Sequence, residues 1–549
     1  MKHLKNNRNK IIFSTGAFLF LIGFLGMVYN FWINPSSSAS DFLPKNTIIF
    51  TEFKTDKLNL EKLNKFDFPL IIDEILAKNL LNISSDDLIP WLGEKAAVAW
   101  LPDNKFIFAA KYRDRKEAQR FMKKFLVPEE KLSEKNFAGF SVYSPQFSSE
   151  ISFVLKDGWL ITASSEKTMQ EILSKNPKLT QNTNFSKISE DLPKSREIFG
   201  YADFVELAKS SLLEKNPFLK ALSNTIPAGG ITLAVEKDGL NLSSKFLTTK
   251  GVFSKNLLKK TPKEIIPELA KYAPQDVLFF MNGYDLPAKY QHTKSFLQKT
   301  NPQLALIFEG ILRAEFKKLL GENFDFQTDF LEKTHGQYAL IFNFAEDSAE
   351  PFTYFTLITK FAEGTSAENN ELLQKIIKDA QQLYSTKIAE KKLPDGTIRQ
   401  ELVLADPDEI KIVENSANSW KYFTAETETN DESALPQQKF SYGFINNFLV
   451  FSNHEQGVKD AFSAFTEKIN LTQNEDFRES VLFKFPASES YGFVNTNKLA
   501  KLKKISRDLN NDEETSLNFA GFWKKFRNIS FARKTFSDYS ILQAIFKQR

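Results

Sequence analysis

The sequence predicts an α+β protein: an N-terminal single transmembrane helix followed by two repeated domains of antiparallel sheet with packed helices. Three observations predict it. Residues 11–33, IIFSTGAFLFLIGFLGMVYNFWI, hold no charged residue across 23 positions. Beyond Asp41, hairpin signals alternate with amphipathic helices and show no regular βαβ rhythm. The order of those elements then recurs in the second half of the chain.

A helix over residues 11–33 rises about 1.5 Å per residue and so covers a hydrocarbon core of roughly 30 Å. Lys2, Lys5, Arg8 and Lys10 precede it in a basic tail at residues 1–10 that contains no acid. Tyr29 and Trp32 stand at its far end, where amphipathic rings favour the membrane–water boundary. The expectation is a single-pass cell-membrane protein with a cytoplasmic N-terminus and extracytoplasmic domains, and with membrane lipid as the partner of its helix. Cleavage after Ser40 is the alternative, although a signal peptide has a shorter apolar region of about 7–15 residues. The chain has no Cys, which excludes lipoprotein processing, disulfides and thiolate metal sites.

Charge narrows the partners. There are 72 basic and 68 acidic residues, and four of the basic ones fall in the first ten positions, so residues 11–549 are formally neutral. A nucleic-acid binder needs an excess of Lys and Arg to displace phosphate counterions, so nucleic acid is not expected. The 54 Phe residues run evenly through strands and helices, as core and sheet packing would place them, and do not cluster as an aromatic box.

Residues 34–42 read as a polar linker, and Thr47–Phe53 as the first strand, entered through Leu43-Pro44. Residues 56–90 read as helical pieces. Ala96–Leu101 and Phe106–Tyr112 form a hairpin about Pro102–Lys105. Ala118, Phe121, Met122 and Phe125 then make one apolar helical stripe, stopped by Pro128. A second hairpin, Ile151–Thr162, turns at Asp157-Gly158 and leads into a helix capped by Ser165, with Met169, Ile172 and Leu173 inward. A strand at Ile198–Phe204, a helix about Val205–Leu222 and a third hairpin turning at Asp238-Gly239 complete a first repeat at residues 43–250.

Residues 251–272 read as a linker marked by Pro262 and Pro267, and a second repeat occupies 273–549. Ala273-Pro274 echoes Leu43-Pro44. The strands Tyr338–Phe344 and Thr353–Phe361 echo the central hairpin, and a helix with Leu372, Leu373, Ile376, Ile377 and Ala380 on one face follows them. Ser441–Ile445 and Phe448–Ser452 pair across Asn446-Asn447. The next helix, capped by Asn453, buries Val458, Ala461, Phe462 and Phe465. Gly492-Phe493-Val494 repeats Gly200-Tyr201-Ala202, and Ile529–Ile545 is a closing hairpin. The second repeat is longer through residues 384–437, which read as an exposed insert.

The pattern resembles the bacterial membrane-tethered proteins of the DUF3352 type, whose function is not defined. The resemblance rests on Leu43-Pro44, Leu92-Gly93 and Gly158–Ser165, with their counterparts Ala273-Pro274, His335-Gly336 and Asn447–Asn453. It implies an extracytoplasmic, repeated α+β protein and transfers no catalytic residue.

Catalytic signals are missing from the sequence. His3, His292, His335 and His454 each stand alone, with no spacing that sets two imidazoles on one metal. No GxGxxG, GxxxxGK[ST], GxSxG or SxxK pattern occurs. Asp406, Asp408 and Glu409 lack the alternating loop of a Ca²⁺ site and read as a solvated turn. Trp523-Lys524-Lys525-Phe526-Arg527 reads as a helix end with its rings packed inward. No catalytic, cofactor-binding or metal residue is assigned, and no cofactor is expected. Two functions stay open: a binding or scaffold module for an envelope protein, peptide or glycan, and a cell-envelope hydrolase or lipid- or peptide-handling protein with a site scattered in sequence.

Overall fold

Aromatic and β-branched residues fill most of the strand-length runs, and these pair as antiparallel ladders. The computed structural model describes residues 39–549 apart from 57–60, 64, 67–89, 124–131, 146–150, 211–221, 250–267, 304, 307–308, 311–325, 346–351, 362–366, 383–384, 395, 428–438, 483–484, 486–487 and 502–524. The chain divides into two compact units, Met1–Lys215 and Asn216–Arg549.

The first unit runs β1 (Ile49–Lys54), β2 (Leu92–Trp100), β3 (Phe106–Tyr112), α1 (Arg115–Phe121), β4 (Leu132–Phe137), β5 (Phe140–Pro145), β6 (Ser152–Lys156), β7 (Trp159–Ala163), α2 (Glu166–Leu173), α3 (Thr183–Asp191), β8 (Ile198–Asp203) and α4 (Phe204–Lys209). Hydrogen bonding orders its strands β4-β5-β6-β7-β3-β2-β1-β8. Asp114 caps α1, which buries Ala118 and Phe121; Ser165 caps α2, which buries Met169, Ile172 and Leu173.

The second unit begins with β9 (Ala228–Glu236) and β10 (Gly239–Leu247). It continues with β11 (Phe279–Tyr284), α5 (Leu286–Thr300), β12 (Thr334–Ala345), β13 (Phe352–Phe361), α6 (Ala367–Gln382), the ribbon β14 (Thr386–Lys392) and β15 (Ile398–Leu404), β16 (Ile410–Ala417) and β17 (Trp420–Thr427). It ends with β18 (Ser441–Ile445), β19 (Phe448–Ser452), α7 (Glu455–Thr466), β20 (Ser490–Asn495), β21 (Phe526–Thr535) and β22 (Tyr539–Gln548). Its main sheet is ordered β9-β10-β22-β21-β20-β11-β12-β13-β19-β18-β17-β16.

The same junction recurs in both units, built on Leu179-Thr180-Gln181-Asn182 and Leu471-Thr472-Gln473-Asn474. The amide of Leu179 donates to the Leu43 carbonyl at 2.8 Å, and that of Leu471 to Ala273 at 2.9 Å. Asn182 Oδ1 accepts from the Asn184 and Phe185 amides while its Nδ2 donates to the Lys45 carbonyl at 3.1 Å. Asn474 Oδ1 accepts from Phe477 N, and its Nδ2 donates to the Gln275 carbonyl at 3.2 Å. One side chain thus caps a helical turn and holds the chain entering β1 or β11. Beneath it Phe185 meets Phe50 and Tyr201 edge-on, and Phe477 meets Phe280 and Phe493 in the same way.

Four expectations are corrected. The fold is mostly large antiparallel sheet, which corrects the expected class of a transmembrane helix followed by two repeated α+β domains. The expected transmembrane helix is not supported. No helix among the described residues is long and apolar enough to cross a membrane, and residues 11–33 lie outside the described residues. The 16-residue α6, for example, carries Glu371, Lys375, Lys378 and Asp379 on the face opposite its apolar one, whereas a span takes about 20 apolar residues. The α+β halves are also not self-contained: β9–β10 groups with the later unit because β10 pairs with β22 along nine residues. Finally, residues 384–437 are not wholly loop, since β16–β17 continues the main sheet.

Gly239 opens β10, where a Cβ would stand 1.9 Å from the Phe546 carbonyl oxygen of β22. Backbone cannot yield as a side-chain tip can, so Gly239→Ala should lower the unfolding free energy by about 2 kcal/mol. Gly310, with open space around its Cβ position, should tolerate alanine with little change. Urea unfolding of both variants checks this; equal midpoints would show that the β10–β22 approach does not constrain stability.

Candidate functional site

A recess of about 430 Å³ lies in the second unit, lined by Glu268, Tyr284, Asp285, His335, Gly336, Gln337, Lys360 and Phe448. It forms where β12 breaks register. His335 faces Lys360 of β13 and Tyr338 faces Thr359, so Gly336 and Gln337 have no partner on that strand. Gly336 sits at φ 71°, and a Cβ there would make only an ordinary contact with Lys360. The backbone conformation, not space, therefore calls for glycine.

The next strand end supplies an acid. Asp285 follows β11 and adopts the left-handed conformation, φ 57° and ψ 74°. Its amide donates to the Gly336 carbonyl at 2.7 Å, and its Oδ1 accepts from Ala288 N at 2.9 Å as the N-cap of α5. Asp tolerates this conformation because its short side chain bonds locally. Lys360 reaches over the Phe448 ring with Nζ 5.5 Å from the centroid. Gln337 Oε1 is buried without a hydrogen-bond partner. The recess therefore joins two carboxylates, a lysine, an imidazole and two aromatic rings.

A buried ionic group flanks it under α5. Glu489 Oε1 accepts from Lys289 Nζ at 3.0 Å and from Thr535 Oγ1 at 2.7 Å, with Arg533 Nε at 3.9 Å. Burial alone pushes the Glu489 carboxyl up, but Lys289, Arg533 and the Thr535 hydroxyl outweigh it and hold it below the ordinary glutamate value. Burial, with Arg533 and Lys289 nearby, pushes the His292 imidazole down to about 4, so it is neutral at pH 7. Burial pushes the Tyr338 phenol up to about 12.

Of the residues weighed from sequence, only His335 lines the recess. His292 lies beside the ionic group. His454 caps α7, its Nδ1 accepting from Gln456 N at 3.1 Å, while the adjacent Asn453 accepts from Phe355 N instead of capping. His3 lies outside the described residues. Asp406 and Glu409 close their own turn, the Asp406 amide donating to Glu409 Oε2 at 2.8 Å. Among the described residues, no three His, Asp or Glu side chains gather to hold a metal. Trp523 and Lys524 lie outside the described residues, and Phe526 is the buried first residue of β21, not a helix end.

The recess residues left faint traces in sequence. Asp285 before Leu286-Pro287 is a helix-start signal, and Gly336 inside a strand pattern is a bulge signal. Neither distinguishes a binding site from ordinary punctuation.

Nearly the whole length of the chain nonetheless matches one family. The match is to "Protein of unknown function (DUF3352)" and spans residues 14–531. The chain belongs to the DUF3352 family. No curated protein matches this DUF3352 chain. Solved structures of TP0453 are similar to parts of it. Crystal form I has 8% identity and a TM-score of 0.25, covering 41% of this chain and 84% of that one. Crystal form III has 7% identity and the same TM-score, covering 41% and 83%. A likeness at that TM-score bears on neither fold nor function.

Asp285 combines a cap with a left-handed backbone, so two substitutions separate the contributions. Asp285→Ala should lower the unfolding free energy by about 2 kcal/mol, through the lost cap and the conformational penalty. Asp285→Gly should cost less, because glycine carries no such penalty. Equal losses in urea unfolding would show that the backbone conformation is unstrained.

Proposed function

We propose that this DUF3352 protein is a binding module whose second unit takes a compact zwitterionic ligand, a free amino acid or a peptide terminus, in the bulge recess. The observation that carries this reading is the gathering of two carboxylates, a lysine and two aromatic rings in one recess. Glu268, Asp285 and Lys360 line it together with Tyr284 and Phe448. A ligand ammonium gains from the carboxylates. A ligand carboxylate takes Lys360. Tyr284 and Phe448 offer apolar faces to the stem between the charges. The volume falls within the range of about 300–1,000 Å³ typical of small-ligand sites.

Lys360 is exposed, so its pairing is screened by salt and its contribution is modest. Calorimetry with a Phe-Ala dipeptide should give a dissociation constant between about 10 μM and 1 mM, weakening as salt is raised. Acetylating the amine or amidating the carboxylate should each weaken binding about tenfold, as should Lys360→Ala, which corresponds to ~1.4 kcal/mol. No measurable heat from folded protein, or equal binding of the doubly blocked dipeptide, would overturn the reading.

A further inference from the structure

We infer that Glu489 is a positioning residue for the recess: by holding Lys289 it seats the first turn of α5, and with that turn Asp285. The inference rests on the recess being a ligand site. The connection is short. Glu489 Oε1 takes Lys289 Nζ at 3.0 Å, and the Lys289 amide donates to the Asp285 carbonyl at 2.9 Å. The Asp285 amide then donates to Gly336 within the bulge at 2.7 Å. Thr535 and Arg533 on β21 anchor the same carboxylate to the sheet. The helix start is therefore tied at both its backbone and its first long side chain.

The first unit contains the same arrangement. Glu197-Ile198-Phe199-Gly200-Tyr201-Ala202-Asp203 parallels Glu489-Ser490-Tyr491-Gly492-Phe493-Val494-Asn495, the first leading into β8, which pairs with β1, and the second into β20, which pairs with β11. Glu197 and Glu489 are both 6% exposed. Glu197 Oε1 lies 3.6 Å from Nζ of Lys62, in the helical turn after β1, as Lys289 lies in the helix after β11. A buried carboxylate at one fixed place in the strand, meeting a lysine from the following helical segment, thus occurs twice. A buried charge left without its partner is strongly unfavourable, so the pair constrains where each helix can sit.

The charged and titratable groups facing Glu489 are Lys289 and His292 on α5, Arg533 on β21 and Tyr338 on β12, with Asp285 acting on Lys289. At pH 7 His292 is neutral and Tyr338 protonated; on acidification Glu489 takes a proton below the ordinary glutamate value and His292 takes one near 4, so the two share the acid response. The carboxyl value is depressed in the folded protein. Its contribution is full above the unfolded value and is lost as pH falls through the folded one.

Amide hydrogen exchange over residues 285–300 of the intact protein tests this, with rates corrected for the intrinsic pH dependence. As pH falls from about 7 the wild type should keep its α5 protection until Glu489, whose carboxyl is held below the ordinary glutamate value, and His292 take protons. Glu489→Gln should exchange about tenfold faster at pH 7, leave only the part of the acid response that His292 carries, and weaken dipeptide binding. Thr535→Val, which removes one anchor and keeps the charge pair, should fall between the two and guards against a Glu489 variant that fails to fold. Wild-type protection in Glu489→Gln overturns the inference whatever the binding result. Equal loosening of α5 in Glu197→Gln overturns it too, because the effect would then be general destabilisation. Loss of α5 protection in Glu489→Gln, with a wild type that binds no dipeptide, overturns the ligand reading and leaves Glu489 as the seat of α5.

Discussion

In each unit a single asparagine side chain determines where the helical layer meets the sheet. Asn182 and Asn474 satisfy amides at a helix start, which would otherwise be left without intrahelical partners, and clamp the chain just before β1 and β11. No apolar residue of similar size supplies both an acceptor and a donor. The clamp also closes over Phe185 or Phe477, whose edge-on contacts join β1 to β8 and β11 to β20. Hydrogen-bond geometry and aromatic packing are therefore mutually dependent here. The helix cannot shift along the sheet without uncovering the ring and unpairing the amides.

That rigidity gives meaning to the irregular places beside it. The recess combines a strand that slips register at Gly336–Gln337 with a non-glycine residue in the left-handed region, Asp285. Such conformations persist only where the surroundings over-determine them. The neighbouring sheet is regular, α5 is tied down through Lys289, and the two deviations meet through one hydrogen bond between the Asp285 amide and the Gly336 carbonyl. Polar groups are collected at the strand ends, while the Phe280 and Phe477 core stays dry beneath them.

Much of the architecture could be read locally. The turn at Asp157-Gly158, the pairing across Asn446-Asn447 and the apolar stripe of Met169, Ile172 and Leu173 are each determined by a few adjacent residues. The β10–β22 ladder has no local signature, because its partners lie hundreds of residues apart and any two alternating strands satisfy the same pattern. The recess was illegible for a related reason. Glu268, Asp285, Gln337 and Lys360 come from four separate stretches, and each alone looks like ordinary surface polarity. The Leu-Thr-Gln-Asn repeat, in contrast, was plain in the letters. A polar tetrad carries no apolar periodicity, so its letters repeat without signalling a clamp. Glu197 and Glu489 are silent for a similar reason, since a lone glutamate ahead of a strand does not reveal that it is buried.

The ladder between β10 and β22 has one further property. The hairpins β9–β10 and β21–β22 correspond turn to turn, Glu236 with Phe536 and Gly239 with Tyr539, so Ser243 corresponds to Gln543. Those two residues lie directly opposite each other. The strand therefore meets its own counterpart about a local two-fold axis, the arrangement by which two identical chains join edge to edge. A protein with one such hairpin would carry an open edge able to recruit its own copies, with the attendant risk of aggregation. Carrying both hairpins on one chain makes that encounter intramolecular, at an effective concentration on the order of millimolar rather than that of the protein in the cell. The seam between Ser243 and Gln543 therefore forms at a strength that does not depend on protein concentration.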